Sequence, residues 1–352
     1  MTTTLPSLNN PADWDWLAHR IGGGLDTAPE ISDAVRAQFA GKRVLVTGAG
    51  GSIGTELCRQ IYQLKPSELV LLDRDESGLH ATQLLLEGRA LLDNAHVVLA
   101  DLRDTERMEQ IFAEKRPEIV VHAAALKHAP LLEQYPAEAW KTNVLGSDTV
   151  LSLSVKYGVK HLINISTDKA ASPTTALGFS KRVAERLTSW YGQTQELEYC
   201  SVRFGNVLGA RGSALWAFAS QLNHGQPVTV TDPDVVRYFM TVAQACQLVL
   251  EAGVEAACGD VLVLDMGDPV RIVRVVEEMA AEAGVEPHFE FTGLRPGEKL
   301  EEIRLDPNEQ LVACNHPHVS RAHVEPLDPA ELAKAAADLP AHLDKEFWAS
   351  LI

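Results

Sequence analysis

Cysteine is scarce in this chain. Cys58, Cys200, Cys246, Cys258 and Cys314 are the five present among 352 residues. The number is odd and no pair stands at metal-ligand spacing. Neither a disulfide framework nor a metal site is expected, and a reducing compartment, the cytoplasm, fits this usage. Basic residues are also few, with 31 Lys and Arg against 48 Asp and Glu, a net charge of −17. So acidic a surface repels phosphate backbones and anionic lipid, which argues against nucleic-acid and membrane partners. An anionic small molecule would need a local basic pocket. No uncharged stretch is long enough to span a bilayer, and the first residues lack the apolar core of a signal peptide, so neither membrane insertion nor secretion is expected. Aliphatic residues are plentiful. Hydrophobic side chains make up 46% of the chain, which excludes disorder over most of it. At this length one large domain with a lobe, or two domains, is expected.

The first 40 residues follow no regular pattern. Asp13-Trp14-Asp15-Trp16-Leu17 and Ile31 to Phe39 can each open a short helix, and 1–40 reads as a helical arm. From Gly41 the pattern changes. Arg43-Val44-Leu45-Val46-Thr47 is an apolar run followed at once by glycines. Similar runs recur at 69–72, 97–100, 119–121, 161–165 and 199–202, with helical spacing between them at 55–64 and 106–114. Continuous short apolar runs alternating with helices predict an α/β fold, a doubly wound parallel sheet buried on both faces. The sheet domain is expected over 41–205, with a return at 235–268. After about residue 205 the alternation breaks. Gly209–Gly225 is rich in Gly, Ala and Ser, 227–230 and 289–291 read as strands, and 273–283 reads as a helix. A smaller C-terminal substrate-binding lobe is expected from 206–234 and 269–320. Residues 321–352 read as a tail with a helix near 329–337.

The segment Thr47-Gly48-Ala49-Gly50-Gly51-Ser52-Ile53-Gly54 follows a strand and opens a helix. Glycines there let the backbone turn sharply and approach a pyrophosphate, to which the helix N-terminus offers N–H groups and a positive dipole. A glycine run alone is only a tight turn. Here it has a strand before it, a helix after it, and a second strand ending in Asp73, nineteen residues past Gly54. A carboxylate at that place accepts from the adenosine ribose hydroxyls and repels a 2′-phosphate, which favours NAD over NADP. Arg74 is the opposing signal, since it could hold a 2′-phosphate. Asp101-Leu102 follows the third strand, where an adenine would lie. Ala123-Ala124-Ala125 follows the fourth, where small residues let the nicotinamide half pass close to the backbone.

These glycines, together with three further stretches, resemble the extended short-chain dehydrogenases. The stretches are His122-Ala123-Ala124-Ala125-Leu126-Lys127-His128, Ser166-Thr167-Asp168-Lys169-Ala170 and Arg295-Pro296-Gly297-Glu298-Lys299-Leu300. Together they are similar to the polysaccharide-biosynthesis branch of nucleotide-sugar 4,6-dehydratases, which act on UDP-N-acetylglucosamine. The resemblance covers about residues 12–320. It implies a Rossmann sheet of about seven strands, bound NAD, a UDP-sugar substrate and a homo-oligomer, a dimer through two long helices.

Most short-chain dehydrogenases carry a Tyr four residues before the Lys that lowers its pKa. Here Lys181 is preceded at that spacing by Leu177, so the usual base for a sugar hydroxyl is missing. The resemblance implies Asp168 as the acid for the departing 6-hydroxyl and Lys169 as the base for the C5 proton, with Asp168 or Thr167 handling the 4-hydroxyl. It places Lys181 on the nicotinamide ribose and gives Asn143 a part in ordering the site. From sequence alone Asn143 could equally be a helix cap. The same resemblance assigns Asn206, Arg237 and Arg295 to the sugar diphosphate, Glu298 to the nucleotide ribose and Lys127 to the substrate. Arginine forks two donors onto phosphate oxygens, which suits that group. His122 and His128 are not in register with a third ligand, so no metal is expected. Two other readings stay open. One is a UDP-sugar C4 epimerase, or a dehydratase acting on another UDP-sugar or nucleoside. The other is a catalytically silent NAD-binding regulator.

Overall fold

The computed structural model describes residues 14–23, 30–337 and 343–352. In chain order its first part comprises α1 (Asp15–Ile21), α2 (Asp33–Phe39), β1 (Arg43–Thr47), α3 (Ser52–Gln63), β2 (Glu68–Asp73), α4 (Glu76–Glu87), β3 (Val97–Leu99) and α5 (Thr105–Lys115). Then come β4 (Ile119–His122), α6 (Ala129–Gln134), α7 (Pro136–Ala139), a π-helical turn Trp140–Leu145, α8 (Gly146–Lys156), β5 (His161–Ile165), a 3-10 turn Asp168–Ala170, α9 (Ala176–Gln195) and β6 (Glu198–Arg203). The chain forms two compact units. Of the described residues, the larger takes those within Glu30–Arg203, Cys246–Leu264 and Arg304–Ile352; the smaller takes 14–23, Phe204–Ala245 and Asp265–Ile303.

The larger unit is built on a nine-stranded sheet in the order Val312–Ala313, Val319–Ala322, Val261–Leu264, β6, β5, β4, β1, β2, β3. The seven strands from Val261–Leu264 to β3 are parallel. The remaining two pair antiparallel at one edge. The start of the expected tail, Arg321 and Ala322, thus lies within a strand. Side chains explain the layering. All of β4 is buried, as are Val44 to Thr47 of β1, because helices cover both faces. Leu45, Val120 and Leu162 pack with Met108, Ile111 and Phe112 of α5 and with Val150 and Val183 of α8 and α9. Each such side chain contributes about 1.5–3 kcal/mol by leaving water. Strand order reverses at β1, which has β2 on one side and β4 on the other. In sheets of this kind the crevice outside the carboxyl ends at such a reversal is where ligands bind.

The smaller unit has its own core. Leu17 and Ile21 of α1 pack with Val275, Val276 and Met279 of the helix Ile272–Ala283, and with Phe218 and Leu222 of the helix Ala214–Asn223. Strand Val228–Val230 pairs in parallel with Phe289–Phe291. The helix Ala214–Asn223 lies inside the Gly/Ala/Ser-rich stretch 209–225, where Leu215, Phe218, Ala219 and Leu222 repeat at helical spacing and are buried. Among the described residues no helix is long and apolar enough to cross a membrane.

Candidate active site

The glycine loop leaves β1 at Thr47. Gly48 has φ 70°, and a Cβ on it would meet the Ala124 backbone nitrogen at 2.6 Å. The turn after β1 and the alanines after β4 are therefore in backbone contact, which only the absence of a side chain allows. α3 opens at Ser52 with Gly51 as its cap, a residue with no side chain to satisfy first-turn amides. That is the arrangement in which a helix N-terminus receives an anion. Gly54 packs its Cα against the loop itself, where a Cβ would lie 1.9 Å from the Gly48 carbonyl oxygen. Gly54→Ala is therefore expected to open the loop and abolish dinucleotide retention. The check is the nucleotide released on denaturing the purified variant, compared with wild type.

Asp73, at the end of β2, accepts from the Gly50 amide at 2.8 Å and the Asp75 amide at 3.0 Å. It braces the glycine loop. Arg74 stands 3.7 Å from Asp101, which is held more closely by Arg103 at 2.6 Å. Hydrogen bonds from Arg103 keep the Asp101 carboxyl below its ordinary range. Leu102 is buried and packs over Gly146.

His122 closes β4 between two hydroxyls. Its Nδ1 lies 2.7 Å from Thr47 Oγ1 and its Nε2 3.0 Å from Ser147 Oγ. Ser147 spends its own proton on the Asn143 carbonyl at 2.6 Å. It must therefore accept from Nε2–H, and this fixes the tautomer. Burial pushes His122 down to about 3, with Lys181 adding to the shift, so the imidazole is neutral. Among the described residues no three His, Cys, Asp or Glu are grouped to hold a metal.

Asn143 does not cap a helix. It lies fully buried inside the π-helical turn. Its Oδ1 accepts from the Leu126 amide at 2.8 Å, and its Nδ2 donates to the Leu126 carbonyl at 2.9 Å and to Ser180 Oγ at 3.0 Å. These hydrogen bonds join the loop after β4 to α9. A helix that widens by one residue is a common way of aiming such a side chain.

β5 leads into Ser166-Thr167-Asp168-Lys169-Ala170. Thr167 caps the turn Asp168–Ala170. Asp168 is 1% exposed. Its Oδ1 accepts from Thr167 Oγ1 and from Lys169 Nζ, each at 2.9 Å. Its Oδ2 is buried with no hydrogen-bond partner, an arrangement that costs stability unless something docks there. Lys169 remains a quarter exposed. α9 lies against this turn through Gly178, where a Cβ would meet the Lys169 carbonyl oxygen at 2.6 Å. Three residues on, Lys181 is buried, and burial pushes it down to about 8 against the opposing charge of Glu185. Leu177 is packed into the core.

In the smaller unit, Arg237, Arg295 and Glu298 are brought together. Arg237 Nη1 donates to the carbonyls of Val236 at 2.7 Å and Leu300 at 3.0 Å, and Nη2 lies 3.5 Å from Glu298. Glu298 also accepts from Thr231 Oγ1 at 3.1 Å and the Arg295 amide at 3.2 Å. Part of the Arg237 fork is thus already engaged, while Arg295 is exposed. Asn206 starts the strand Asn206–Leu208, paired with Phe239–Thr241. Lys127 is exposed on the loop after β4. Sequence reasoning missed Thr47, Ser147, Gly178 and Ser180, which orient the named residues. Of these only Gly178 carried a signal, a glycine in the first turn of an otherwise good helix.

Residues 44–324 match the family model described as polysaccharide biosynthesis protein. The chain belongs to that family. Among curated members of the polysaccharide biosynthesis group it is 42% identical over 292 residues to "Probable polysaccharide biosynthesis protein EpsC" of Bacillus subtilis (strain 168), covering 81% of this chain and 48% of that one. It is 38% identical to "Capsular polysaccharide biosynthesis protein CapD" of Staphylococcus aureus, covering 89% and 53%. The chain thus spans about half the length of these polysaccharide biosynthesis relatives. Its fold is that of the NAD-dependent epimerases and dehydratases. The UDP-glucose 4-epimerase of Thermus thermophilus, solved in complex with NAD, superposes with a TM-score of 0.65 at 26% identity, covering 75% of this chain and 90% of that one.

Proposed function

We propose that the chain is an NAD-dependent nucleotide-sugar 4,6-dehydratase acting on a UDP-hexose, with UDP-N-acetylglucosamine the first candidate. The observation that carries this reading is the directly bonded Asp168–Lys169 pair at the end of β5, with one carboxylate oxygen buried and unpartnered. The Gly48–Ala124 approach and the side-chain-less cap of α3 fit a dinucleotide. Asp73 suits an adenosine ribose with a bare 2′-hydroxyl. When bound, NAD supplies the acceptor for the sugar C4 hydride and returns that hydride to C6.

The chain's own residues move protons. Asp168, directly or through Thr167, takes the proton of the 4-hydroxyl as C4 is oxidised. Lys169, a quarter exposed, gives its ammonium proton to water. The neutral amine then takes the C5 proton, acidified by the new ketone. Asp168 passes the proton from the 4-hydroxyl to the departing 6-hydroxyl, which leaves as water. Lys169 finally returns a proton to C5 as C6 receives its hydride. Both groups end as they began, apart from the one proton that Lys169 regains from solvent. Lys181 anchors the nicotinamide ribose and Asn143 holds the loop beside it. Asn206, Arg237 and Arg295 are assigned to the diphosphate, Glu298 to the nucleotide ribose and Lys127 to the sugar.

Mass spectrometry of UDP-N-acetylglucosamine incubated with the protein in ordinary and in deuterated water tests the reading. A product lighter by one water, with one deuterium at C5, is the expected result. Unchanged substrate alongside bound NAD would reject it for that sugar. The likeness to a UDP-glucose 4-epimerase supports a second reading, C4 epimerisation, which would yield an isomer of unchanged mass. Leu177 speaks against it, because the position of the usual base is a packed core residue.

A further inference from the structure

Behind the catalytic turn lie four charged side chains in a closed set. Arg203, the last residue of β6, is fully buried. Its Nε and Nη2 donate to the two oxygens of Glu185, each at 2.7 Å. Its Nη1 and Nη2 donate to the two oxygens of Glu309 at 2.7 and 2.9 Å. Glu309 also accepts from Arg182 and from the Asp306 amide at 3.1 Å. Glu185, buried on α9, also lies 3.6 Å from Arg182 and accepts from Ser166 Oγ at 2.6 Å. Ser166 is the residue immediately before Thr167, Asp168 and Lys169.

Two cations and two carboxylates cancel, and the planar Arg203 fork ties the carboxylates in fixed directions. Such a buried ionic set is a weak way to stabilise a fold, since apolar residues of the same volume do as well or better. What it does provide is direction. The chain of bonds runs from the loop after Arg304, through Glu309, Arg203 and Glu185, to the hydroxyl beside the reactive pair. We propose that Glu309 is a positioning residue, which through Arg203 and Glu185 fixes Ser166 and so holds the Asp168–Lys169 turn in reactive geometry. The proposal rests on the reading of Asp168 and Lys169 as the reacting groups. Glu309 lies outside the three stretches that carry the family resemblance.

The test compares Glu309→Gln, Ser166→Ala and the double variant as full-length, NAD-loaded protein. Amide exchange over Ser166–Ala171 reads the positioning without any substrate. It is expected to quicken in each single variant while β1 and α3 stay as in wild type. With UDP-N-acetylglucosamine, kcat is expected to fall about tenfold to a hundredfold with KM and NAD content unchanged. The double variant should be no slower than the slower single, because the two changes cut the same path. Unchanged exchange at 166–171, or kcat losses that multiply in the double variant, would overturn the proposal. If Glu309→Gln fails to fold, Glu309→Asp, which keeps the charge but shortens its reach to Arg203, is judged by the same exchange measurement. A wild-type protein that turns over no UDP-hexose would sink the dehydratase reading, while the exchange data would still judge the positioning path.

Discussion

Asp168→Asn is expected to lower turnover by roughly 10²–10⁴-fold while leaving bound NAD and the melting temperature close to wild type. Asparagine has the shape of aspartate. Its Oδ1 can keep accepting from Thr167 and Lys169, as the carboxylate does at 2.9 Å. It cannot take or give a proton. Its amide nitrogen would occupy the place of Oδ2, the buried atom without a partner. The loss therefore falls on proton transfer and spares the architecture. Rate constants at saturating substrate measure it, together with deuterium entering C5 of recovered substrate. A variant within tenfold of wild type would move the acid to another residue.

Lys181→Met is expected to make the protein more stable and nearly inactive. Burial lowers Lys181 from 10.5 to about 8, so the folded state holds its proton less tightly than the unfolded state does. The sign follows from that. Below pH 8 the buried ammonium costs stability in full, and the cost shrinks as pH rises from 8 towards 10.5. At pH 7 the cost is about 3 kcal/mol at 1.36 kcal/mol per pK unit. Methionine keeps the apolar stem and removes the charge. In NAD-free protein the melting temperature is expected to rise by about 5–10 °C at pH 7, with the gap to wild type narrowing by about 1 kcal/mol at pH 9. Turnover is expected to drop at least about a hundredfold, because the residue proposed to anchor the nicotinamide ribose is gone. Paired melts at the two pH values are the measurement. A variant less stable than wild type at pH 7 would show that the ammonium is compensated in place.

The sheet is readable because strands buried on both faces need unbroken apolar runs, as in Val44-Leu45-Val46 and Ile119-Val120-Val121. The glycine loop is readable because backbone approach demands glycine at fixed places, and Gly48 and Gly54 occupy them. Asp168 and Lys169 stand out by following a strand. What stays hidden depends on partners far along the chain. Glu309 meets Arg203 across 106 residues, and neither carries a local mark of the other. Arg237 reads as a phosphate ligand, yet two backbone carbonyls already hold part of its fork. Asn143 can be read as a cap because the one-residue widening of the helix around it leaves no trace in composition. The helix Ala214–Asn223 is masked by its flanking Gly and Ser.

The interleaving of the two units has a consequence for how the protein can be made. Leu17 shares a core with Val275 and Met279, and strand Val261–Leu264 takes its outer neighbour from Val319–Ala322. On the ribosome, the smaller unit lacks its last strand until residue 291 has been added, and the edge of the larger sheet stays open until residue 322. With synthesis at about 5–20 residues per second, the helix carrying Leu17 and Ile21 waits tens of seconds for its partner with both side chains uncovered. Closing loops of this length also slows folding itself. Much of the chain is therefore made before that apolar surface can be covered, and a truncation at either end exposes the core of a unit whose sequence lies mostly elsewhere.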